Sequence, residues 1–258
     1  MIEKINDYIS YIPATEIPLS ADVGIVTGRK CVYLYDVGST YECLDYLYSL
    51  KGRVRIVISH FHADHTWWLT KHHPDEPGMK PGDEISLNYK RPEFERLYIG
   101  KGTEKYLRDG EIIREPLMIE DESLDGKPLK IEIFPMPSSH SVGSLAMSVN
   151  EEYIFMGDST YCRYISKKEG EEDHTEYNVQ KLKAQIDLLK TIKADKCLIS
   201  HEKKIVRPKK VIIRQLEAIY SKRNPGENVI KQKISPTSSR SEGEGRSSFQ
   251  SGFKPRLK

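Results

Sequence analysis

The sequence predicts an α/β protein, because runs rich in β-branched and aromatic residues alternate with stretches whose apolar residues recur at the helical period. The clearest helical stretch is 179–193, where four apolar residues fall on one face. The clearest strand is the mostly apolar run 54–58, which directly precedes a dense cluster of histidines. Strands, amphipathic helices and polar clusters at strand ends together favour a layered α/β domain.

The individual elements follow from local signals. The two β-rich runs 23–27 and 32–35 are joined by a turn at Gly28-Arg29-Lys30, and the helix 41–50 is closed by Gly52. Residues 74–92 are rich in proline and charge and predict a long loop. Further strands are expected at 97–99, 112–119, 129–135, 145–149, 153–156 and 196–200, and further helices at 66–73, 103–108 and 209–222.

Length and composition predict one large domain with an appendage. The chain has 258 residues, and we place the folded domain at 1–223. Residues 224–258 are expected to be a disordered polar tail, since 235–258 contain almost no aliphatic residue. The formal net charge is only +2, from 40 basic and 38 acidic residues, so nothing in the composition calls for a nucleic acid or a membrane as partner. We expect the partner to be a small-molecule substrate.

The cysteines favour a reducing compartment. They are scattered and form no C-x-x-C pair: Cys31, Cys43, Cys162 and Cys197. The first residues lack the basic start and apolar core of a signal peptide, and no apolar run approaches the roughly 20 residues of a membrane helix. These features predict a cytoplasmic protein.

The most informative motif is Ser59-His-Phe-His-Ala-Asp-His65, which follows the predicted strand 54–58. Imidazole and carboxylate groups suit Zn²⁺ and similar divalent ions. If His60 and His62 keep the two-residue period of the strand, both point to one side and can bind one ion. Asp64 and His65 lie past the turn and can reach a second ion. A histidine-rich surface loop is the alternative interpretation.

Three more candidate ligands lie at the ends of later predicted strands: His140, Asp158 and His201. Each of them alone is more often a structural residue than a metal ligand. Their significance comes from a shared position, because strand ends within one sheet layer can converge on a common cleft.

In the order and spacing of these motifs, the chain resembles the metallo-β-lactamase superfamily over roughly residues 21–205. The resemblance rests on Asp36-Val-Gly38, the H-x-H-x-D-H cluster, His140 before Ser-Val-Gly-Ser, Gly157-Asp158 and His201. It implies an αββα four-layer sandwich with a centre of two divalent metal ions, usually zinc. It further implies that one ion is held by His60, His62 and His140, the other by Asp64, His65 and His201, with Asp158 bridging them and Asp36 hydrogen-bonding near the ligands.

The resemblance also implies a reaction. Two neighbouring Zn²⁺ ions acidify a bridging water, and the resulting hydroxide attacks an ester, lactone, thioester, amide or phosphodiester. Asp64 is a candidate for moving the proton from the attacking water to the leaving group. The expected protein is a metal-dependent hydrolase of small ester-like substrates.

Two features bear on the branch of the superfamily. Tyr161 stands three residues after Asp158, and this spacing is similar to that of acyl-homoserine lactonases, in which such a tyrosine assists the substrate. In a chain with 15 tyrosines, an ordinary packing role for Tyr161 is an equally good interpretation. The segment from His140 to Leu145 also resembles lactonases and glyoxalase II-like thioesterases. The chain departs from those branches at Trp67-Trp68, where they carry small residues, and residues 163–177 form either a lid or a solvated loop.

Other functions compete with a lactone or thioester hydrolase. A phosphodiesterase or nuclease of the same superfamily uses the same centre, and a sulfur dioxygenase uses a similar fold with a single iron. A non-catalytic metal-binding interaction protein would retain the fold without turnover. A secreted β-lactamase is disfavoured, because no signal peptide is recognised.

Overall fold

The computed structural model describes residues 1–69, 94–107, 110–165 and 174–233, to which the following statements refer. The strands are β1 (Glu3–Lys4), β2 (Ile9–Ile12), β3 (Thr15–Glu16), β4 (Leu19–Ser20), β5 (Val23–Thr27), β6 (Cys31–Tyr35), β7 (Arg53–Val57), β8 (Phe94–Gly100), β9 (Glu111–Ile113), β10 (Leu117–Glu122), β11 (Pro128–Pro135), β12 (Leu145–Val149), β13 (Tyr153–Gly157), β14 (Arg163–Ile165), β15 (His174–Asn178), β16 (Lys196–Ile199), β17 (Val206–Pro208) and β18 (Val229–Lys233). The helices are α1 (Tyr41–Ser49), α2 (Ala63–Thr66), α3 (Val179–Thr191) and α4 (Lys209–Tyr220), with 3₁₀ turns at Trp67–Leu69 and Thr103–Lys105.

The first large sheet has the strand order β1-β2-β5-β6-β7-β8-β9. Its pairs are antiparallel as far as β6 and parallel from β6 to β9. Helix α1 makes the crossover from β6 to β7, and its buried Cys43 and Leu47 pack on the outer face of this sheet.

The second large sheet has the order β10-β11-β12-β13-β16-β17 and is antiparallel except for the pair β13–β16. The connection between these two parallel strands contains β14, β15 and helix α3. Helices α3 and α4 bury Leu182, Ile186, Ile212 and Leu216 in one apolar cluster with the outer face of the sheet.

The inner faces of the two sheets form the central core. On β6, Tyr33 and Tyr35 point into this core while Leu34 faces α1, as the two-residue period of a strand requires. On β13, Phe155 packs at the same level, and a Cβ atom built on Gly24 would lie 2.4 Å from its ring. The layers are therefore helix, sheet, sheet and helix, which confirms the predicted αββα sandwich.

Several predictions about single elements differ from the structure. The predicted strand 112–119 is two strands, β9 and β10, which belong to different sheets. The tail predicted to begin at residue 224 includes β18, which pairs with β15, and its Ile230 is buried. This part of the chain is folded because β15 offers it a free edge. Of the predicted helix 66–73, the first four residues form the end of α2 and a 3₁₀ turn, while residues 70–73, the loop 74–92 and the rest of the tail lie outside the described residues.

The segment predicted as a lid or loop, 163–177, contains strands at both ends. Strands β14, β15 and β18 form a small antiparallel sheet beside the second large sheet. Among the described helices, none is long and apolar enough to cross a bilayer.

Candidate metal centre

The predicted ligands come together because their strands end at the same edge of the sandwich. Strands β11, β13 and β16 run in one direction, since β12 is antiparallel to both of its neighbours and β16 is parallel to β13. His140, Asp158 and His201 follow these three strands. In the other sheet β6 and β7 are parallel, and Asp36 and the cluster beginning at His60 follow their ends.

The first group of converging donors contains three imidazoles. His62 Nδ1 lies 2.9 Å from His60 Nε2 and 3.0 Å from His140 Nε2. Two nitrogen ligands of a tetrahedral zinc ion are separated by about 3.3 Å, given zinc–nitrogen distances near 2 Å. The three nitrogens are thus spaced as the ligands of a single ion.

Hydrogen bonds at the far side of the rings orient two of these histidines. His140 Nδ1 donates to the Cys162 carbonyl oxygen at 3.2 Å, which leaves Nε2 with a lone pair for the centre. His60 Nδ1 lies 3.0 Å from Ser59 Oγ, so its Nε2 is likewise turned inward. Such outer contacts fix the tautomer and the ring orientation of a metal-binding histidine.

The second group contains two carboxylates and two imidazoles: Asp64, His65, Asp158 and His201. Asp64 Oδ2 lies 3.1 Å from His201 Nε2 and 3.4 Å from His65 Nε2. Asp158 Oδ2 lies 3.4 Å from His65 Nε2 and also 3.4 Å from His140 Nε2 of the first group. Asp158 therefore stands between the two groups.

The residues of the two groups are suited to binding metal ions. His65 Nε2 and Asp158 Oδ1 are buried and have no hydrogen-bond partner among the described residues. A buried polar atom left without a partner costs about 1–3 kcal/mol, so such atoms are rare and call for a physical explanation. Both lie among donors of the types that zinc prefers. A divalent ion in the second group, to which both residues belong, would supply the missing partner.

The charges point to the same conclusion. In the part of the chain that the structure describes, no Lys or Arg forms an ion pair with Asp36, Asp64 or Asp158. The negative charge of these carboxylates is compensated by His65. Burial opposes protonation of this histidine, but the carboxylates of Asp64 and Asp36 raise its pKa well above the usual value. Burial alone would raise the pKa of Asp158, yet the neighbouring His65 holds that pKa well below its usual range.

Two histidines of the first group, His60 and His62, have lowered pKa values and are therefore neutral. Burial lowers the pKa of His60 well below its usual value, and the neighbouring His65 and His62 lower it further. Burial, followed by the nearby His140, lowers the pKa of His62 to about 4. Neutral imidazoles keep their lone pairs available for a metal ion at neutral pH.

Asp36 acts on the ligands by hydrogen bonding, as the resemblance implied. Its Oδ2 accepts from His65 Nδ1 at 2.7 Å, and its Oδ1 accepts from the Ser59 backbone N–H at 2.7 Å. The residue is fully buried and has a left-handed backbone with φ of 64°. This uncommon conformation for a residue other than glycine directs the carboxylate toward the histidine cluster.

Tyr161 and Trp68, which bear on the branch of the superfamily, have different surroundings. The Tyr161 hydroxyl donates to the Ser200 carbonyl oxygen at 2.6 Å, and the ring centroid lies 6.3 Å from that of His140. Tyr161 thus borders the centre, and its catalytic role stays a prediction. Trp68 Nε1 donates to the Thr40 carbonyl oxygen at 2.8 Å and its ring packs beside Tyr41, which makes it a packing residue.

Two further residues of the site were missed by the sequence analysis. Ser59 Oγ lies within 3.2 Å of both His60 Nδ1 and His65 Nδ1, and its position just before the first histidine was an available signal. Asp22 accepts a hydrogen bond from the backbone of His201. No local pattern marks Asp22, because its partner lies 179 positions away.

The sequence profile described as "Metallo-beta-lactamase superfamily" matches residues 17–201, which is most of the chain. The protein belongs to the metallo-β-lactamase superfamily. Members of this superfamily bind divalent metals, and each of the two donor groups could hold such an ion. A comparison with curated protein sequences found no match.

Solved structures show the same fold at low sequence identity. A metallo-β-lactamase superfamily protein from the archaeon Sulfolobus tokodaii is 16% identical, with 91% of this chain and 93% of that chain covered and a TM-score of 0.50. A B3 metallo-β-lactamase with an active-site glutamic acid is 10% identical, with 86% and 89% covered and a TM-score of 0.57. The flavodiiron protein from Giardia intestinalis is 11% identical, with 86% and 59% covered and a TM-score of 0.55. These likenesses concern the fold.

Proposed function

We propose that this protein is a hydrolase that uses two divalent metal ions, zinc being the expected metal, on a small ester-like substrate such as a lactone or thioester. The observation that carries the proposal is the position of Asp158, whose Oδ2 lies 3.4 Å from a histidine of each donor group. A carboxylate placed in this way can serve two ions at once.

The donor types support zinc. One group offers three imidazole nitrogens and the other two imidazoles and two carboxylates, all of which are ordinary zinc ligands. Bound ions of this kind lower the pKa of water to near neutral and polarise a substrate carbonyl. In this superfamily the chain's own residues therefore need only hold the ions, orient the substrate and move protons.

Asp64 and Tyr161 are the proposed catalytic residues. Asp64 is part of the second group and is about one-seventh exposed at its side chain (14%), so its carboxylate lies at the border between the buried ligands and the cleft. From there it can accept the proton of the attacking water and pass it to the leaving group. The Tyr161 hydroxyl can turn from the Ser200 carbonyl to the substrate oxygen.

Apolar surface beside the first group supports a substrate with an apolar part. Phe61 lies between two ligands in sequence and stacks on Tyr106, with ring centroids 3.8 Å apart and planes inclined by 4°. Its ring also contacts His62, at a centroid distance of 4.9 Å. Nearby on the loop after His140, Val142 is 45% exposed. An acyl chain can pack on such a surface.

The test is a substrate comparison with zinc-loaded protein. We expect hydrolysis of a lactone or thioester that stops when a chelator is added and returns with Zn²⁺, and slower hydrolysis of a plain phosphodiester. A preference for the phosphodiester would make the protein a phosphodiesterase or nuclease. The proposal would be contradicted if complete metal removal left the activity unchanged, or if protein with two bound zinc ions hydrolysed none of these substrates.

The fold also supports a second candidate function, in which the centre binds iron. Structural neighbours include a chemotaxis sensor with a peroxy diiron species, 11% identical with a TM-score of 0.51, and the Giardia flavodiiron protein. Histidines and carboxylates also suit iron. Elemental analysis of the protein purified from its own cells distinguishes the two: about two zinc ions per chain favours hydrolysis, and iron favours a redox or sensing role.

A cytoplasmic location is part of the proposal. All four cysteines are free thiols in the structure, which is the usual state in a reducing compartment.

A further inference from the structure

Asp22 is a buried carboxylate that lies in the short connection between β4 and β5 and is only 7% exposed. Its Oδ1 accepts from the Ala14 backbone N–H at 2.9 Å, and its Oδ2 accepts from the His201 backbone N–H at 3.0 Å. The Ser200 hydroxyl lies 3.3 Å from the same Oδ2 and accepts from the Asp22 backbone N–H at 3.0 Å. Asp22 is thus bonded to the two consecutive residues that end with the last ligand of the second group.

His201 needs such support because of its backbone conformation. Its φ is 63°, in the left-handed region that residues other than glycine rarely adopt. From this backbone the imidazole reaches Asp64, with Nε2 and Oδ2 3.1 Å apart. A strained conformation persists only where its surroundings over-determine it, and the Asp22 carboxylate is one of the groups that do so here.

The connection between β4 and β5 also contacts a second ligand of the second group, Asp64. The Ala21 backbone N–H donates to the Asp64 carbonyl oxygen at 3.1 Å. Residues 21 and 22 therefore fix the backbones of two ligands of the second group. Their counterparts for the first group are different residues, since His60 is contacted by Ser59 and His140 by the Cys162 carbonyl.

We propose that Asp22 is a positioning residue that sets the affinity of the second donor group for metal through the backbone of His201, without touching metal or substrate. The proposal rests on the two-metal function inferred above. Asp22 lies outside the ligand motifs, and through its effect on His201 the two groups differ in their affinity for metal.

The chemistry of the contacts requires a carboxylate. Two backbone N–H groups, of Ala14 and His201, each donate to a different oxygen of Asp22. An asparagine has one oxygen and one NH₂ group, so in either orientation one of these N–H groups would face another donor. The substitution Asp22→Asn is nearly isosteric and removes one acceptor without creating a cavity.

A matched control lies at the other end of the sandwich. Asp121 is 5% exposed and accepts from the backbone N–H groups of Lys30 and Cys31, at the start of β6, whereas Asp36 follows the end of that strand. Asp121→Asn is therefore the same change in a buried carboxylate with backbone partners, far from the donor groups.

The experiment is a titration of metal-free full-length protein with Zn²⁺ by calorimetry in the presence of a competing chelator. Wild type should bind two ions per chain. In Asp22→Asn the affinity for the ion of the second group should fall by roughly 10–100-fold, the range found when a ligand's outer hydrogen-bond partner is lost, while the first group is unchanged. Asp121→Asn should keep both affinities. Ser200→Ala removes the two contacts of the Ser200 hydroxyl to Asp22 but keeps both backbone N–H bonds to the carboxylate, so it should shift the same affinity by less; it serves if Asp22→Asn fails to fold.

Three results would overturn these inferences, and they are distinguishable. Equal affinities in wild type and Asp22→Asn would show that Asp22 does not position His201. A parallel loss at both groups, as from general destabilisation, would exclude a selective role. Wild-type protein that binds fewer than two Zn²⁺ ions would overturn the two-metal function itself, before any variant is considered.

Discussion

At the scale of single residues, Asp158 links the two halves of the centre. It follows β13 directly after Gly157, whose φ of 52° and close approach to Ser59 leave no room for a side chain. A Cβ atom on Gly157 would lie 2.7 Å from Ser59 Cβ. The glycine therefore lets the carboxylate of the next residue enter the space between the two groups of histidines.

Replacing Asp158 should weaken metal binding, because its carboxylate lies beside a histidine of each donor group. We expect Asp158→Asn to bind at most one metal ion tightly and to lose more activity than the roughly 100-fold that loss of a ligand's hydrogen-bond partner costs. Elemental analysis and steady-state kinetics measure the two effects. Asp187→Asn is the control, because Asp187 is a surface residue of α3 that pairs with Lys183. A variant with two bound ions and full turnover would contradict the assignment of Asp158.

Tyr161→Phe tests the one catalytic residue that rests on spacing alone. Losing the bond to the Ser200 carbonyl should lower the free energy of unfolding by about 1 kcal/mol. If the hydroxyl also contacts the substrate, as proposed, kcat falls while the metal content stays at two ions. Unchanged kcat together with lower stability would leave Tyr161 as an anchor of the Ser200 backbone.

At the scale of elements, helices and strand ends were predictable where the signal is local. The predicted helices 179–193 and 209–222 agree with α3 and α4 to within two residues at their ends. The 112–119 prediction was wrong because a continuous β-rich run does not reveal which sheet each half joins. Its two halves, β9 and β10, pair with β8 and β11 respectively.

The N-terminus of helix α3 is stabilised by a side-chain cap. Its N-cap is Asn178, whose side-chain oxygen accepts from the Lys181 backbone N–H at 2.9 Å. Asn178→Ala should lower the free energy of unfolding by about 1 kcal/mol, measured by denaturant titration. Gln180→Ala, in the exposed first turn of the same helix, is the control and should not destabilise. Equal stability of wild type and Asn178→Ala would show that the cap contributes nothing.

At the scale of the whole molecule, the metal centre is built from both sheets and so couples metal binding to folding. Donors from the first sheet and donors from the second sheet meet in each group. Among the described residues, one buried atom of His65 and one of Asp158 have no hydrogen-bond partner. Ions that bind only the folded chain stabilise it by mass action.

Removing the metal should therefore lower thermal stability. With the free ion at about 1,000 times its dissociation constant, one site contributes about 4 kcal/mol, which corresponds to a fall in Tm of roughly 10 °C on removal. Calorimetry before chelation, after chelation and after return of Zn²⁺ measures the effect. An unchanged Tm in protein shown by elemental analysis to be metal-free would contradict this coupling.

Local signals in the sequence predicted an α/β protein, its main helices and strands, and the seven candidate ligands, because helical and strand periods and strand-end motifs are properties of neighbouring residues. The αββα arrangement and the division of the ligands between two ions came from the resemblance to the superfamily. The tertiary structure added the distances that place Asp158 Oδ2 3.4 Å from a histidine of each group, the hydrogen bond from Trp68 to the Thr40 carbonyl, and the pairing of β18 with β15. It alone revealed Asp22 at the backbone of His201. These contacts depend on distance along the chain: Trp68 lies 28 positions from Thr40 and Asp22 lies 179 positions from His201, and no local pattern records which distant segments meet in the fold.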